Sequence, residues 1–187
     1  LNNISRFKFS KIKYFDQYEA DLSFHNQDVI FFNDKGSILK FDKMSNLIWE
    51  HNYYSKRERK KKPFLFFGND NNTLIVADNT AKYYALNIKS GNLLWMKTND
   101  SPFNSEIKMY KDKFFVVDFT NTLRCFSIID GSEIWNFKTT ISTIKSQKKS
   151  SILLIDNIVY FSNSIGDVTS IEAETGNFIW QTPTQSS

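Results

Sequence analysis

Three aspartates recur at one position of an internal repeat and are the first candidates for chemistry. Asp34, Asp78 and Asp118 each precede a tryptophan that ends its repeat. Carboxylate oxygens are the ligands that calcium takes in proteins, so a calcium site is one interpretation. The other is turn capping, in which the carboxylate accepts hydrogen bonds from nearby backbone N–H groups. Because the position recurs with the repeat, we predict turn capping.

The histidines and the cysteine offer little for catalysis. His25 and His51 are the only histidines, and no carboxylate or third nitrogen lies near them at a metal-binding spacing, so we predict two surface residues. A single cysteine, Cys125, excludes a disulfide within the chain and a cysteine-based metal site. It occupies the position of Ala85 and Ser170 in other repeats, which predicts a buried small residue and not a reactive thiol.

Two basic segments stand outside the repeat pattern. Residues 56–62 hold six bases and one acid, and residues 141–151 form a long basic connection further along the chain. Each segment is either a solvated loop or an electrostatic contact for an acidic partner or anionic head groups. Aromatic residues that could stack on bases are not interleaved with the charges, which disfavours nucleic acid. The candidate partner-binding residues of the first segment are Lys56, Arg57, Arg59 and Lys60.

The elements that position these residues follow from the four tryptophans. Trp49, Trp95, Trp135 and Trp180 are separated by 46, 40 and 45 residues and end four similar stretches. Such a period, with four short strands in each unit, predicts the blades of an all-β propeller. We predict that each indole packs between neighbouring units, where its N–H also needs an acceptor.

A glycine stands four residues before the tryptophan in three copies. Glycine adopts a positive φ without steric cost and so closes the hairpin between the third and fourth strands. The first copy lacks the glycine and is one residue shorter, and we predict that Asn46 takes the left-handed conformation there. Asp130-Gly131-Ser132 looks like a nucleophile turn, but it lies on this repeated hairpin, so we interpret it as structural. The three glycines are Gly91, Gly131 and Gly176.

The predicted organisation is a lead-in segment followed by four blades. Residues 1–16 are a lead-in or a remnant strand of a preceding blade, and residues 17–187 hold blades at about 17–54, 63–99, 103–140 and 150–182. Propellers of this kind usually close with seven or eight blades, so we expect a fragment of a longer ring. Alone, it would expose the flanks of its end blades and self-associate or fold poorly.

Composition adds only broad limits. The 187 residues carry a net charge of +4, which we interpret as lysine used for solubility. No apolar run approaches the roughly 18 residues that a membrane-spanning helix needs. The chain starts at Leu1 and not at methionine, so a secretion signal or lipid anchor could lie upstream.

The repeat resembles that of the quinoprotein-type (PQQ-like) β-propeller family. The resemblance covers residues 17–182, and Tyr84-Ala85-Leu86-Asn87 with Gly91 and Trp95 is one of its good matches. The family includes quinone (PQQ)-dependent dehydrogenases, which hold calcium beside the quinone and often use adjacent cysteines, a pair that this chain cannot supply. The residues that match best are Ala173, Thr175, Gly176 and Trp180.

Within that family the chain looks most like the BamB-type lipoproteins of outer-membrane protein assembly. That resemblance implies a non-catalytic scaffold without a cofactor, located in the periplasm and anchored to the outer membrane only through a lipid upstream of this chain. It also implies docking onto the periplasmic domains of a barrel-assembly pore through inter-blade loops. The loop position before the last blade makes Ile144, Lys145 and Lys148 candidates. The alternative is part of a PQQ-dependent dehydrogenase whose active-site residues lie elsewhere. A third hypothesis, a sensor or carbohydrate-binding propeller, has no specific residue in its favour.

Overall fold

Four antiparallel sheets of four strands each follow one another along the chain, and each sheet is one blade. The computed structural model describes residues 22–33, 35–139 and 149–182. The predicted all-β class is confirmed, and the strands predicted within the described residues are present. The predicted lead-in or remnant strand, residues 1–16, lies outside the described residues.

The strands run in sequence order across each sheet. In blade 1 they are β1 (Leu22–His25), β2 (Asp28–Phe32), β3 (Ser37–Phe41) and β4 (Leu47–Asn52), followed by a short helix, α1 (Lys56–Arg59). In blade 2 they are β5 (Leu65–Asn69), β6 (Thr73–Asp78), β7 (Lys82–Asn87) and β8 (Leu93–Thr98). In blade 3 they are β9 (Lys108–Tyr110), β10 (Lys113–Val117), β11 (Thr122–Ser127) and β12 (Glu133–Lys138). In blade 4 they are β13 (Ile152–Ile155), β14 (Ile158–Ser162), β15 (Val168–Glu172) and β16 (Phe178–Thr182).

The hairpin between the third and fourth strands is built alike in blades 2 to 4. Gly91 has φ +74°, and its N–H donates to the carbonyl of Asn87, four residues earlier. In blade 1 the prediction of Asn46 at the left-handed position is wrong, because Ser45 holds it with φ 65°. The N–H of Ser45 reaches back only three residues, to the carbonyl of Asp42, so the shorter turn moves the left-handed residue.

The hydrophobic core lies between blades. One cluster joins Ile30 and Trp49 of blade 1 to Leu74 and Tyr84 of blade 2. A second cluster joins blades 2 and 3, and a third joins blades 3 and 4. Each blade therefore buries its apolar faces against its neighbours, as expected for a repeat architecture.

The loops fall on two opposite faces. The first strands of successive blades contact one another, so they are the inner strands, and the fourth strands are the outer ones. Because the strands are antiparallel, the connectors after β4, β8 and β12 lie at the same strand ends as the turns between second and third strands. We call this end the connector face and the other end the hairpin face. Two hydrogen bonds join connectors to turns on the connector face. The N–H of Asn99, after β8, donates to Ala81 O, and that of Thr139, after β12, donates to Asn121 O.

Within the described ranges, no helix has the length and apolar character that crossing a membrane requires.

Candidate interaction surface

The tryptophans lie at the boundaries between blades. Trp49 of blade 1 donates its Nε1–H to Ile88 O of blade 2 across 3.2 Å, and its ring covers Gly91. A Cβ on Gly91 would lie 2.7 Å from ring atom Cδ2, so the glycine is required by space as well as by φ. Equivalent contacts join Trp95 to Ile128 O (2.9 Å) and Gly131, and Trp135 to Ala173 O (3.2 Å) and Gly176. Trp180, in blade 4, is 41% exposed, and its ring contacts Tyr160 of the same blade, so the predicted packing between units holds for the first three tryptophans and is wrong for Trp180.

The carboxylates of the recurrent aspartates in the described residues accept hydrogen bonds within turns. Asp78 is fully buried, and its Oδ1 accepts the N–H groups of Thr80 and Lys82 at 2.7 and 3.0 Å. Its Oδ2 accepts the hydroxyl of Tyr54 at 2.7 Å. Burial raises the pKa of Tyr54 well above its usual value, so this hydroxyl stays a donor. Asp118 caps the turn after β10 in the same way and also pairs with Arg124 Nε at 2.7 Å.

Blades 1 and 4 place a neutral amide at the same position. Asn33 Oδ1 accepts Ser37 N–H at 2.9 Å, and Asn163 Oδ1 accepts Asp167 N–H at 3.0 Å. The repeat position in blade 1 is thus Asn33 and not Asp34, which lies outside the described residues. Since an amide does the same work, the position needs an acceptor and not a charge. Within residues 22–33, 35–139 and 149–182, no three His, Cys, Asp or Glu side chains are grouped so that they could hold a metal ion.

The prediction that His25 is a surface residue is wrong. Its side chain is buried, and Nδ1 lies 3.4 Å from Nζ of Lys40, which is itself buried. Lys40 faces blade 2 beside Trp49, where it contacts Asp28 Oδ2 at 3.0 Å and donates to Ile88 O at 3.1 Å. The His25 imidazole therefore lies beside a lysine that contacts the next blade.

Cys125 and Ser132 show no sign of reactivity. Cys125 is fully buried, as predicted, and burial raises the pKa of its thiol to about 12. The hydroxyl of Ser132 donates to Asp130 Oδ1 at 2.8 Å within the hairpin. His51 is partly exposed, and its Nε2 lies 3.1 Å from Ser90 O. The Ser132 contact stabilises its own hairpin, and the His51 contact joins blade 1 to the hairpin of blade 2.

The first basic segment begins with a helical turn, α1, where the sequence indicated a loop. Ser55 is its N-cap: the hydroxyl accepts Glu58 N–H at 3.3 Å, and the Glu58 carboxylate accepts Ser55 N–H at 2.7 Å. This reciprocal pair is a capping box, which fixes the first turn of a helix. The capping-box pattern Ser-x-x-Glu is visible in the sequence. The many charged residues of the segment nevertheless favoured its interpretation as a loop.

Glu58 ties α1 to blade 2. Its Oε1 pairs with Nζ of Lys82, which also donates to Tyr53 O at 3.1 Å and lies 4.5 Å from the centroid of the Tyr54 ring. The hydrogen bonds from Lys82 and from Ser55 lower the pKa of Glu58 to about 2. The only acid of the basic segment therefore faces the fold.

Arg59 holds a neighbouring turn. Its Nη1 donates to Lys35 O at 2.9 Å, and its aliphatic stem lies over Gly36, where a Cβ would come within 2.5 Å of Arg59 Cδ. The other predicted residues of this segment, Lys56, Arg57 and Lys60, are exposed on the connector face.

One residue of the second basic segment, Lys149, contacts the strand that follows the first segment. Ile144, Lys145 and Lys148 lie outside the described residues. Lys149, the next residue, places Nζ 5.0 Å from the ring centroid of Phe66 and 6.0 Å from that of Phe64. Because Phe64 stands two residues after Lys62, the ends of the two basic segments lie on the same part of the connector face.

Comparisons with known proteins agree with this architecture. The family model described as outer membrane protein assembly factor BamB matches residues 23–187. The structure of BamB from Moraxella catarrhalis superposes with a TM-score of 0.70 at 17% identity, over 90% of this chain and 48% of that one. The chain thus spans about half the length of that BamB structure. No curated protein matches the chain at a significant level.

Two further structures share the fold. The computationally designed Ika4 protein matches with a TM-score of 0.65 at 15% identity, over 84% of this chain and 94% of that one. Quinohemoprotein alcohol dehydrogenase from Comamonas testosteroni matches with a TM-score of 0.64 at 10% identity, over 87% of this chain and 34% of that one. At these identities the likeness is one of fold, since the same fold supports both enzymes and non-enzymes.

Proposed function

We propose that this chain, which belongs to the family of the outer membrane protein assembly factor BamB, is a non-catalytic propeller scaffold that assists the assembly and insertion of outer-membrane β-barrel proteins. The observation that carries the proposal is the family match over residues 23–187. The geometry supports it, because side chains that could do chemistry are engaged in structural contacts. Asp78 and Asp118 cap turns, and the buried thiol of Cys125 has a raised pKa.

The proposed place of action is the periplasm, at the outer membrane. Attachment to the membrane would come from a lipid anchor outside this chain. The proposed partners are the periplasmic domains of a barrel-assembly pore, bound through connectors between blades. Connectors suit this task because they can vary without disturbing the repeat that holds the blades together.

The test is a pull-down with the full-length protein in a bacterium that contains the pore. We expect the pore subunit to co-purify and the double variant Lys145→Glu/Lys148→Glu to retain much less of it. Lys43→Glu/Lys89→Glu is the matched control, because it makes the same charge change at exposed hairpin-face positions. No co-purification with the native protein would contradict the function, and equal retention by the two double variants would remove Lys145 and Lys148 from the docking site.

A second candidate function is part of a PQQ-dependent dehydrogenase. The fold likeness to quinohemoprotein alcohol dehydrogenase favours it. Its test is to add the quinone and calcium to the full-length protein and to measure dye reduction with alcohols and sugars. Substrate-dependent reduction above that of a heat-denatured sample would replace the scaffold proposal with an enzyme.

A further inference from the structure

We infer that the exposed basic side chains of α1 and its C-terminal end, together with Lys149, form a docking surface for an acidic segment of a protein partner. We call these residues the basic surface: Lys56, Arg57, Lys60, Lys61 and Lys149. The inference rests on the proposed function, because it names the chemistry of a partner for the scaffold.

The positive charge of the basic surface is not cancelled within its own segment. Glu58, the single acid in residues 56–62, directs its carboxylate to Lys82 and to the N–H of Ser55. Lys56, Arg57, Lys60 and Lys61 are exposed, and no described hydrogen bond or ion pair engages their side chains. The segment therefore presents cations outward and keeps its carboxylate inward.

The basic surface is also held in place. The capping box orders the first turn of α1, and Arg59 fastens the segment to the turn that contains Lys35. The Glu58–Lys82 pair fastens it to blade 2. A partner that binds here does not have to order a flexible loop, so less binding free energy is lost on association.

Lys149 adds a positive charge at the same place. Lys149 lies over Phe64 and Phe66, at the start of the strand that α1 leads into. The intervening connector, after β8, carries the exposed acid Asp100 and the Lys108–Glu106 ion pair. Unlike the basic surface, this connector therefore contains acids that offset its positive charge.

An acidic protein segment fits this surface better than a membrane does. Peripheral membrane binding by a short basic patch is strengthened by apolar side chains that enter the lipid. Residues 53–66 contribute none of the exposed large hydrophobic side chains of the described residues, and on the connector face Phe119 lies in a turn of blade 3, away from α1. A single helical turn presents a compact set of charges, which matches a short run of Asp or Glu side chains. Specific pairing with lysines is individually weak and sensitive to salt, as suits a reversible contact.

The experiment measures binding of a fluorescent, glutamate-rich peptide to the full-length protein by anisotropy at low and physiological salt. We expect saturable binding that weakens as salt increases. Lys56→Glu/Arg57→Glu should weaken it by about tenfold or more. These positions lie in the first turn of α1, where acidic side chains favour the helix, so the variant should stay folded. Lys60→Gln/Lys61→Gln, which only neutralises charge, is a second variant and should weaken binding less.

The control is Lys43→Glu/Lys89→Glu on the hairpin face, which should bind the peptide as the native protein does. Equal loss in control and test variants, or no loss in Lys56→Glu/Arg57→Glu, would overturn the inference. So would binding to phosphatidylglycerol vesicles or to single-stranded DNA with no binding to the peptide. This assay uses no pore subunit, so the basic surface can be confirmed or rejected whether or not the pull-down supports the proposed function.

Discussion

The indole of Trp49 covers Gly91 of the next blade so closely that a Cβ on Gly91 would lie 2.7 Å from ring atom Cδ2. The same indole donates its N–H to Ile88 O, three residues before the glycine. The pair thus joins two blades through one space-filling contact and one hydrogen bond. Blades 2 and 3 present Trp95 and Trp135 to Gly131 and Gly176 in the same way. The tryptophan–glycine contact therefore recurs at each described boundary between blades and helps to hold neighbouring blades together.

Gly91→Ala should lower the free energy of unfolding by about 1–3 kcal/mol, since the new methyl group meets the rings of His51 and Trp49 and the backbone φ is positive. Urea denaturation of the variant and the native protein measures the loss. Lys89→Ala in the same hairpin is the control, because that side chain is exposed, and it should change stability by less than about 0.5 kcal/mol. Equal stability of Gly91→Ala and the native protein would show that the contact with Trp49 is looser than the structure has it.

Asp78→Ala should destabilise the protein by about 2–4 kcal/mol, whereas Asp78→Asn should cost much less. The alanine leaves the part-buried N–H groups of Thr80 and Lys82 and the buried hydroxyl of Tyr54 without their acceptor. The amide oxygen replaces the acceptor for the backbone, as Asn33 does in blade 1. Thermal melts of both variants test this, and a chelator such as EDTA should leave the native Tm unchanged. A calcium site at Asp78 would show the opposite pattern, with both variants equally unstable and a Tm lowered by EDTA.

Glu58→Gln should lower the free energy of unfolding near neutral pH but not in acid. The folded pKa of Glu58 is about 2, below its ordinary value of 4.5, so its stabilising contribution is present above pH 4.5 and is lost as the pH falls toward 2. The carboxylate is partly open to solvent, so the effect should not exceed about 1 kcal/mol. Urea denaturation from pH 6 down to pH 2.5 should show the gap between native and variant protein closing.

Glu50→Gln is the control for that series, because Glu50 is exposed on β4. It should stay close to the native protein at every pH. A gap for Glu58→Gln that widens in acid would contradict the pairing of Glu58 with Lys82.

Arg59→Ala should loosen the turn at Lys35 and Gly36. The variant loses the hydrogen bond to Lys35 O and the stem that covers Gly36, at a cost of about 1 kcal/mol. Hydrogen exchange should become faster at residues 35–37, and it should not change in Lys56→Ala, whose side chain is exposed on the same helix. Unchanged hydrogen exchange in Arg59→Ala would contradict the contacts of Arg59 with Lys35 and Gly36. It would mean that the Arg59 side chain faces only solvent.

Much of the fold was predictable from the sequence because the repeat states its pattern four times. Strand positions followed from alternation and from turn residues, and the predicted role of Gly91, Gly131 and Gly176 rests on the one property that distinguishes glycine, its freedom at positive φ. For the blade 1 hairpin, the prediction of the left-handed residue was wrong. A turn shortened by one residue also changes its hydrogen-bond register, and that change puts Ser45 at the left-handed position.

Apart from the tryptophans, the side-chain contacts between blades were the part that the sequence could not predict. His25 is buried beside Lys40, which stands at a position where other blades have small residues and reaches a carbonyl of blade 2. Similarly, nothing in residues 56–62 indicates that Glu58 pairs with Lys82, more than twenty residues further along the chain. Local patterns predict strands and caps, whereas the partners of charged side chains depend on how the blades stack.

The most direct test of the scaffold proposal is the affinity of the full-length protein for the purified periplasmic domains of a barrel-assembly pore, measured by isothermal titration calorimetry. The proposal predicts saturable binding that Lys145→Glu/Lys148→Glu weakens and that Lys43→Glu/Lys89→Glu leaves unchanged. Absence of saturable binding by the native protein would contradict it.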